Sequence, residues 1–409
     1  MATVVLLGTL DTKGVEYGFL RERLVARGLH VLVVDAGTQG EPRIPADVTR
    51  AEVAAAAGAD LAELARAGER GAAVEAAARG AREVLLRLHA QGRLDGVLAL
   101  GGSGGSAIAG AAMQALPIGV PKLLVSTMAS GDTRAYVGTA DVTLMHSVVD
   151  VAGLNRLSRR ILGNAAAAIA GMVEPQAQAG DAEAELRPLV AATMFGVTTP
   201  AVTAARARLE QHGYEVLVFH ANGVGGATME SLVRSGYVKG VLDLTTTELA
   251  DELVGGIASA VPHRLEAAGE AGIPQVVAPG ALDVANFGAP ETVPARYAGR
   301  LLYGHSATAT LMRTSAEECA QLGATLGAKL RAGRGPRSLH LPLRGLSALD
   351  ADGGPFHDPD ADAALFAALR AACAGDGIAL HEADLAINDP AFGEEMADDL
   401  HALLREAGR

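Results

Sequence analysis

The sequence predicts an α/β fold with two doubly wound domains whose sheets are mainly parallel. Short apolar runs, such as residues 31–34 and 96–100, alternate with amphipathic stretches such as residues 16–27, which is typical of parallel strands covered by helices on both faces. Only 3% of the residues are aromatic and Trp is absent, so we expect a core of Ala, Val, Leu and Ile. The pattern is Rossmann-like, and ligands of such sheets bind in a cleft at the carboxyl ends of the strands.

The length of the chain and the similarity between segments of its two halves predict two domains. The 409 residues exceed the roughly 100–200 residues of one typical domain. Residues 174–185 are rich in Pro, Gln, Gly and acidic residues, which marks a boundary. We therefore predict a nucleotide-binding domain at residues 1–180 and a second domain of related topology at residues 186–409. Stretches of the first half have counterparts in the second: 31–37 with 216–222, 95–98 with 239–242, and 121–123 with 274–276.

The elements follow from the apolar runs and the turn residues between them. In the first domain we expect a strand at 4–7, a loop at 8–14, a helix at 16–27, strands at 31–34 and 96–100, a helix near 107–115 and a strand at 123–125. In the second domain we expect strands at 190–194, 216–219, 240–244, 275–277, 339–343 and 378–380, with helices near 360–373 and 394–406.

Charge and composition exclude several classes of function. The formal net charge of −13 argues against nucleic-acid and membrane-surface partners, because phosphate backbones need a basic footprint. A long uncharged apolar run and a basic leader are both absent from the sequence, which predicts a cytoplasmic protein. Cys319 and Cys373 form no CxxC motif, which speaks against a disulfide framework or a thiolate zinc site. His357, Asp358 and His381 are too scattered to predict a metal site.

The strongest motif is Gly101-Gly102-Ser103-Gly104-Gly105-Ser106, here called the glycine loop. It follows a predicted strand and precedes a predicted helix, where successive backbone N–H groups can hold a phosphate and two serines can donate hydroxyls. The alternative is a tight turn with no ligand. The loop lacks the Gly-Lys-Ser/Thr of a Walker A motif and is not the dinucleotide fingerprint. It resembles the Gly-Gly-Asp-Gly loop of phosphofructokinase-like and NAD kinases, but Ser103 replaces the metal-organising Asp.

Three further strand ends of the first domain carry candidate nucleotide contacts. The loop after the first strand offers hydroxyls, a carboxylate and a cation, which suit a phosphate or simply cap a helix. The second strand ends in a carboxylate suited to a ribose hydroxyl, or to a turn. The fourth ends in a hydroxyl-rich segment suited to phosphate or Mg²⁺, or to an ordinary cap. The candidates are Gly8, Thr9, Asp11, Thr12 and Lys13; Asp35 and Gly37; and Ser126, Thr127, Met128, Ser130, Gly131 and Asp132.

The second domain carries a different set of polar residues at its predicted strand ends. They suit a small polar or acidic substrate, with Glu248, His220 or His305 as bases and Arg313 as a carboxylate clamp. Taken singly, each is as well explained by a structural role. Glu248 and His220 are the predicted catalytic pair. The set comprises His220, Asn222, Gly223, Gly225, Gly226, Glu230, Asp243, Glu248, Asp283, Asn286, His305 and Arg313.

These motifs, in this order, resemble the largely uncharacterised bacterial and plant family that includes the tomato mosaic virus resistance protein. The resemblance covers nearly the whole chain. It is carried by residues 8–14, the glycine loop, and residues 126–132, 147–150, 195–199, 223–226, 243–248 and 286–288. It implies a pair of Rossmann-like domains, ATP bound in the first, and a homodimer. The plant protein continues into a barrel domain, so the resemblance also implies a separate barrel-domain partner protein.

The sequence thus predicts an ATP-binding protein whose phosphates lie on the glycine loop. The alternative is an enzyme, either an ATP-dependent transferase or a hydrolase or lyase, acting on a small sugar acid or keto acid in a cleft between the domains. A third reading is an interaction module with a structural nucleotide.

Overall fold

The computed structural model describes residues 1–61, 63, 66, 69–174, 187–260, 263–375 and 377–408. The chain divides into two compact units, Met1–Asp181 and Ala182–Arg409. Apart from Glu174, the boundary segment predicted at residues 174–185 lies outside the described residues. The structure confirms the predicted α/β fold, with one parallel sheet in each domain. In the described parts of the chain, no helix is long and apolar enough to cross a membrane.

The N-terminal domain contains a five-stranded parallel sheet in the order β2-β1-β3-β4-β5. Its strands are β1 Thr3–Gly8, β2 His30–Asp35, β3 Gly96–Gly101, β4 Lys122–Ser126 and β5 Thr143–His146. Its helices are α1 Leu10–Val25, α2 Arg50–Ala56, α3 Arg70–Ala90, α4 Ser103–Gln114, α5 Arg134–Val137 and α6 Arg156–Val173.

Both faces of this sheet are covered. Along β1, Val5 and Leu7 pack with side chains of α3 and α4 on one face, whereas Val4 and Leu6 pack with α1 and α6 on the other. Successive residues of a strand point to opposite faces, so a strand buried on both sides must be apolar throughout. This is why the continuous apolar runs predicted the strands correctly.

Two helices begin earlier than predicted, and this moves the candidate loops onto helix starts. Helix α1 begins at Leu10, and the carbonyl of Thr9 already accepts from Lys13 N. Helix α4 begins at Ser103, within the glycine loop, and the carbonyl of Gly102 accepts from Ser106 N. The prediction was wrong because glycine and threonine were read as loop formers, although both are also favoured at the N-cap position, which Thr9 and Gly102 occupy here.

The C-terminal domain contains a six-stranded parallel sheet in the order β14-β13-β9-β8-β6-β7. Read as β7-β6-β8-β9-β13, five of these strands follow the order of β2-β1-β3-β4-β5. The strands are β6 Leu189–Met194, β7 Glu215–His220, β8 Gly240–Thr245, β9 Gln275–Gly280, β13 Arg337–Pro342 and β14 Ala379–Ala383. The helices are α7 Thr199–Gln211, α8 Val224–Arg234, α9 Glu248–Val254, α10 Ala267–Ala271, α11 Ala316–Ala332, α12 Pro359–Cys373 and α13 Pro390–Ala407.

A small antiparallel sheet, which the sequence did not predict, also belongs to the C-terminal domain. It consists of β10 Val284–Phe287, β11 Leu302–Ser306 and β12 Ala309–Arg313, in the order β10-β12-β11. Strand β11 is exposed along its whole length, so it lacks the continuous apolar run that marks the strands of the parallel sheets.

Candidate functional site

A hollow of about 250 Å³ opens in the N-terminal domain beyond the ends of β1 and β3. The first turns of α1 and α4 and the start of α3 contribute to its wall. Its lining comprises Thr9, Asp11, Thr12, Lys13, Thr38, Gln39, Arg70, Val74, Gly101, Gly102, Ser103, Gly104, Gly105, Ile108 and Asp150. The hollow therefore lies where ligands of parallel sheets bind.

The first turn of α4 presents backbone amides to this hollow. The N–H groups of Ser103, Gly104 and Gly105 precede the first residue that can reach an intrahelical acceptor. Among the described residues, no side chain caps this helix. The three residues line the hollow, and the positive end of the helix dipole lies at the same place. This arrangement suits an anion, and a phosphate above all.

Gly101 and Gly104 of the glycine loop differ in the space that a side chain would have. A Cβ atom at Gly101 would lie 2.8 Å from Gly105 Cα, so the close approach of strand and helix requires glycine there. A Cβ atom at Gly104 would meet only Val74 Cγ2, at 3.9 Å. A tight turn therefore explains Gly101 and leaves Gly104 unexplained. An approaching ligand does explain Gly104, because the bare helix turn faces the hollow.

The first turn of α1 brings a cation and two hydroxyls to the hollow. The ammonium of Lys13 donates to the carbonyl of Val151, and the hydroxyl oxygens of Thr9 and Thr12 are 2.9 Å apart. Gly8, also predicted as a contact, serves packing, because a Cβ atom there would collide with the Tyr17 ring.

Asp11 is the most unusual residue of the lining. Its Oδ2 accepts from the amides of Gln39, at 2.9 Å, and Gly40, at 3.2 Å. Its Oδ1 is buried and has no hydrogen-bond partner among the described residues. A buried carboxylate oxygen without a partner is costly. Asp11 lines the hollow, but Oδ1 itself is shielded from solvent, so a ligand bound there could supply the missing partner only after the carboxylate turns.

Asp35 and Gly37 lie behind the hollow and do not belong to its lining. The carboxylate of Asp35 is buried, and its Oδ1 accepts from Leu10 N at 3.1 Å and Gly37 N at 2.9 Å. Burial raises the pKa of Asp35 above its usual range, and the nearby Asp11 adds to this. The contacts of Asp35 therefore fix the start of α1.

The segment after β4 also lies outside the lining. The hydroxyls of Ser106 and Ser126 are buried and 2.6 Å apart, and Ser126 accepts from Met128 N at 3.0 Å. The exposed Asp132 pairs with Arg134 at 2.6 Å. The lining of the hollow thus contains predicted residues from two loops, the one after β1 and the glycine loop after β3. It does not contain Ser106, Ser126, Thr127, Met128, Ser130, Gly131 and Asp132.

Sequence reasoning missed several lining residues. Arg70, at the start of α3, adds a second cation, while Val74 and Ile108 form an apolar part of the wall. No local motif marks these residues, because they reach the hollow only through tertiary packing. Asp150 could have been found, since it ends the motif Ser147-Val148-Val149-Asp150 that carries the family resemblance.

In the C-terminal domain, Glu248 belongs to a fully buried cluster around Arg264. The guanidinium lies 2.5 Å from carboxylate oxygens of Glu248 and Asp243 and 3.3 Å from Glu230. Burial alone would lower the pKa of Arg264, but the carboxylates outweigh burial and raise it well above its usual value. The carboxylate of Glu248 is only 1% exposed. These contacts give Glu248 a structural role.

The other predicted catalytic or clamping residues of this domain have protein partners or lie at the surface. His220 is exposed and stacks on Phe195, with ring centroids 5.2 Å apart. Arg313 is buried and pairs with Asp362 at 2.6 Å and Asp350 at 3.3 Å. The carboxylates that Arg313 binds are therefore the protein's own.

Comparison with known proteins finds one family over nearly the whole chain. The profile described as "Uncharacterised protein family (UPF0261) N-terminal domain" matches residues 2–178, and the corresponding C-terminal domain matches residues 187–404. A UPF0261 protein of Clostridium tetani (strain Massachusetts / E88) is 48% identical over 397 residues, which cover 97% of this chain and 98% of that protein. A UPF0261 protein of Rhizobium meliloti (strain 1021) is 46% identical, with 96% and 97% covered.

A plant relative confirms the resemblance inferred from the motifs. The ToMV resistance protein Tm-1(GCR237) of Solanum lycopersicum is 43% identical over 303 residues. The match covers 74% of this chain and 40% of the tomato protein.

Proposed function

The chain belongs to the uncharacterised protein family UPF0261, and we propose that its N-terminal domain binds ATP with the phosphates on the first turn of α4. The observation that carries this proposal is the hollow of about 250 Å³ over the uncapped amides of Ser103, Gly104 and Gly105. Those amides are oriented before any ligand arrives, so an anion gains their hydrogen bonds without a reorganisation cost.

Two cations strengthen the case for a polyphosphate. Lys13 and Arg70 both line the hollow, although the chain as a whole carries a formal net charge of −13. Nearby cations and oriented amides can hold an anion although the protein is acidic overall. Salt screens the repulsion between the anion and exposed acidic side chains that are more than about 8–10 Å away. Two cations and three helix-start amides favour a ligand with several phosphates, and the carboxylates of Asp11 and Asp150 in the same lining favour one that brings a metal ion.

The rest of the wall suits a nucleoside. The volume lies slightly below the roughly 300–1,000 Å³ of sites that enclose drug-sized ligands, so part of the nucleotide would extend beyond the hollow. Val74 and Ile108 offer apolar contact, and Thr38 and Gln39 offer hydrogen bonds. These groups suit a base and a ribose, which is why we propose a nucleotide and not inorganic phosphate.

The unpartnered oxygen of Asp11 supports Mg²⁺ as a companion of ATP. Mg²⁺ is usually held by one or two carboxylates together with phosphate oxygens. Asp11 lines the hollow, and its buried Oδ1 has no described partner, so the carboxylate can turn to offer an oxygen to the metal. In this proposal it binds the metal, which would neutralise part of the phosphate charge. Homodimer formation, a small acidic substrate and a separate barrel-domain partner stay predictions.

Titration calorimetry of the full chain tests the proposal. We expect ATP to bind with one site per chain, ADP more weakly, and AMP or adenosine more weakly again. Inorganic triphosphate should bind detectably but less tightly than ATP. The proposal fails if ATP shows no binding in the presence of Mg²⁺, or if adenosine binds as tightly as ATP.

A further inference from the structure

Two histidines and a carboxylate meet in the C-terminal domain, although the sequence predicts no metal site. His340 lies on β13, His381 on the edge strand β14 and Asp399 on α13. Their ligand atoms all lie within 4.8 Å of one another. The residues are 41 and 18 positions apart in the sequence, so no short motif marks them.

The parallel register of the two strands places the histidines together. His340 and His381 are paired residues of β13 and β14, and paired residues of neighbouring strands point to the same face of a sheet. Their rings stack with centroids 4.4 Å apart and planes 16° apart. Helix α13 packs on this face, because the ring of its buried Phe392 meets His340 edge-on at 6.3 Å.

The two imidazoles converge on one carboxylate oxygen. Asp399 Oδ2 is 2.9 Å from His340 Nε2 and 3.8 Å from His381 Nε2. A metal ion with bonds of about 2.0–2.1 Å in tetrahedral geometry separates its ligand atoms by about 3.4 Å. The observed separations lie on either side of this value. Small side-chain shifts would therefore suffice to place an ion among the three atoms.

A hydrogen-bonded pair does not account for the whole cluster. His340 and the hydroxyl of Ser338 both contact Asp399 Oδ2 within hydrogen-bond distance. The separation of 3.8 Å from His381 is too long for a hydrogen bond. A second imidazole, stacked on the first and aimed at an oxygen that already has its partners, is explained by a ligand that binds all three groups.

From this geometry we propose that His340 Nε2, His381 Nε2 and Asp399 Oδ2 bind Zn²⁺ or a similar divalent transition metal ion. Two imidazole nitrogens and one carboxylate oxygen form a donor set that zinc prefers, with a fourth position left for water. Glu395 lies one turn before Asp399 on α13 and is exposed. Its carboxylate is a further candidate for the fourth position.

A metal ion at this site would hold three elements of the domain together. Its three ligands join β13 to the edge strand β14 and to the last helix of the domain. An ion that binds the folded domain and not the unfolded chain stabilises the fold by mass action. We therefore expect Zn²⁺ at a hundredfold excess over its dissociation constant to raise the melting temperature of this domain by roughly 5–10 °C.

Untagged full-length protein, treated with EDTA and dialysed, is titrated with ZnCl₂. Calorimetry and metal analysis measure stoichiometry, and circular dichroism measures melting. We expect one Zn²⁺ at this site per chain. His381→Phe keeps an aromatic ring but removes the ligand nitrogen, so it should weaken zinc binding at least roughly tenfold and abolish the melting shift. The same substitution at the exposed His305, on β11, is the matched control and should change neither.

Either of two results would overturn the assignment. In the first, the wild-type protein binds no stoichiometric zinc; in the second, His381→Phe binds zinc as tightly as the wild type does. If His381→Phe melts much earlier without metal, Asp399→Asn decides the question. That variant keeps a side chain of similar shape, and it must also lose the zinc response if the site exists.

Discussion

The carboxylate of Glu248 accepts a hydrogen bond from the amide of Gly226 at the start of α8, with Oε1 3.1 Å from the nitrogen. The same oxygen accepts from Gly223 N at 2.7 Å. The second glycine-rich helix start of the chain therefore holds an anion that belongs to the protein. The start of α4 has no such side chain among the described residues. This contrast is why we assign phosphate binding to α4.

Gly104→Asp should weaken ATP binding at least roughly tenfold without harming the fold. The new carboxylate would lie among the amides that we assign to phosphate, where it repels the ligand and competes for its hydrogen bonds. Losing hydrogen bonds to a charged group costs about 1.5–3 kcal/mol, so we expect the dissociation constant to rise roughly 10- to 100-fold or more. Titration calorimetry measures this change.

Gly104→Asn is the matched control for that variant, because it has nearly the same shape and no charge. A Cβ atom at this position meets only Val74 Cγ2, at 3.9 Å, so both variants should fold. An acidic residue in the first turn favours a helix by about 0.3–1 kcal/mol, so Gly104→Asp should unfold at an equal or higher urea concentration. Equal ATP affinity in the two variants would argue against phosphate at α4.

Asp11→Asn should change the stability of the ligand-free protein little and weaken its binding of ATP with Mg²⁺. The substitution removes a buried charge, and an amide oxygen can still accept from Gln39 N and Gly40 N, but the new NH2 group takes the place of Oδ1, which has no described partner. We expect these effects to offset each other to within about 1 kcal/mol in the free energy of unfolding. Urea unfolding without ligand, and calorimetry with and without Mg²⁺, measure the two effects. An unchanged Mg²⁺ dependence would exclude Asp11 as the metal ligand.

Arg264→Met should destabilise the C-terminal domain strongly. The substitution leaves the carboxylates of Asp243, Glu248 and Glu230 buried without their cation. Breaking a buried ion pair in this way costs about 3–5 kcal/mol. Urea unfolding, followed by circular dichroism, measures the loss.

Glu248→Gln is the informative comparison for that variant. Its amide oxygen can still accept from the amides at the start of α8, and Arg264 keeps Asp243 and Glu230 as partners. The NH2 group that replaces Oε2, however, would face the Nε–H donor of Arg264, so we expect a loss of about 1–3 kcal/mol, below that of Arg264→Met. If Glu248→Gln lowered the free energy of unfolding as much as Arg264→Met does, Asp243 and Glu230 would not compensate for the loss of one carboxylate beside Arg264, contrary to our expectation.

Asp251 predicts a specific pH dependence of stability. Burial raises its pKa to about 6, and the amides of Ala258 and Asn286 only partly offset this. The unfolded carboxyl titrates near 3.9, so between about pH 4 and pH 6 the folded state binds the proton more tightly. The contribution of Asp251 therefore stabilises the fold below pH 4 and is lost as pH rises to about 6, by up to about 3 kcal/mol.

Asp251→Asn removes this titration and is the test. The free energy of unfolding of the variant minus that of wild type should increase from pH 4 to pH 6 and stay level above. Asn286 can turn its amide to keep a hydrogen bond with the new side chain. Urea unfolding at four pH values measures the difference. A difference that does not change with pH would contradict the burial-raised pKa.

Much of the fold could be predicted because its strands are buried on both faces. Val97, Leu98 and Ala99 are fully buried, and such a run has few explanations other than a parallel strand. The position of the proposed phosphate site rests on the same argument, since the glycine loop comes directly after β3. The helix starts were misplaced because residues common in loops are also favoured at the N-cap position, directly before the first turn of a helix.

The sequence by itself determined the α/β class, the positions of the main strands along the chain and the loop that carries the candidate phosphate site, because each of these depends on neighbouring residues. Only the tertiary structure decided which distant side chains meet. It brought Arg70 to the hollow and His381 to His340, and it placed the carboxylate of Glu248 against its own domain's amides. Such meetings depend on strand register and helix packing, and no local pattern of residues encodes either.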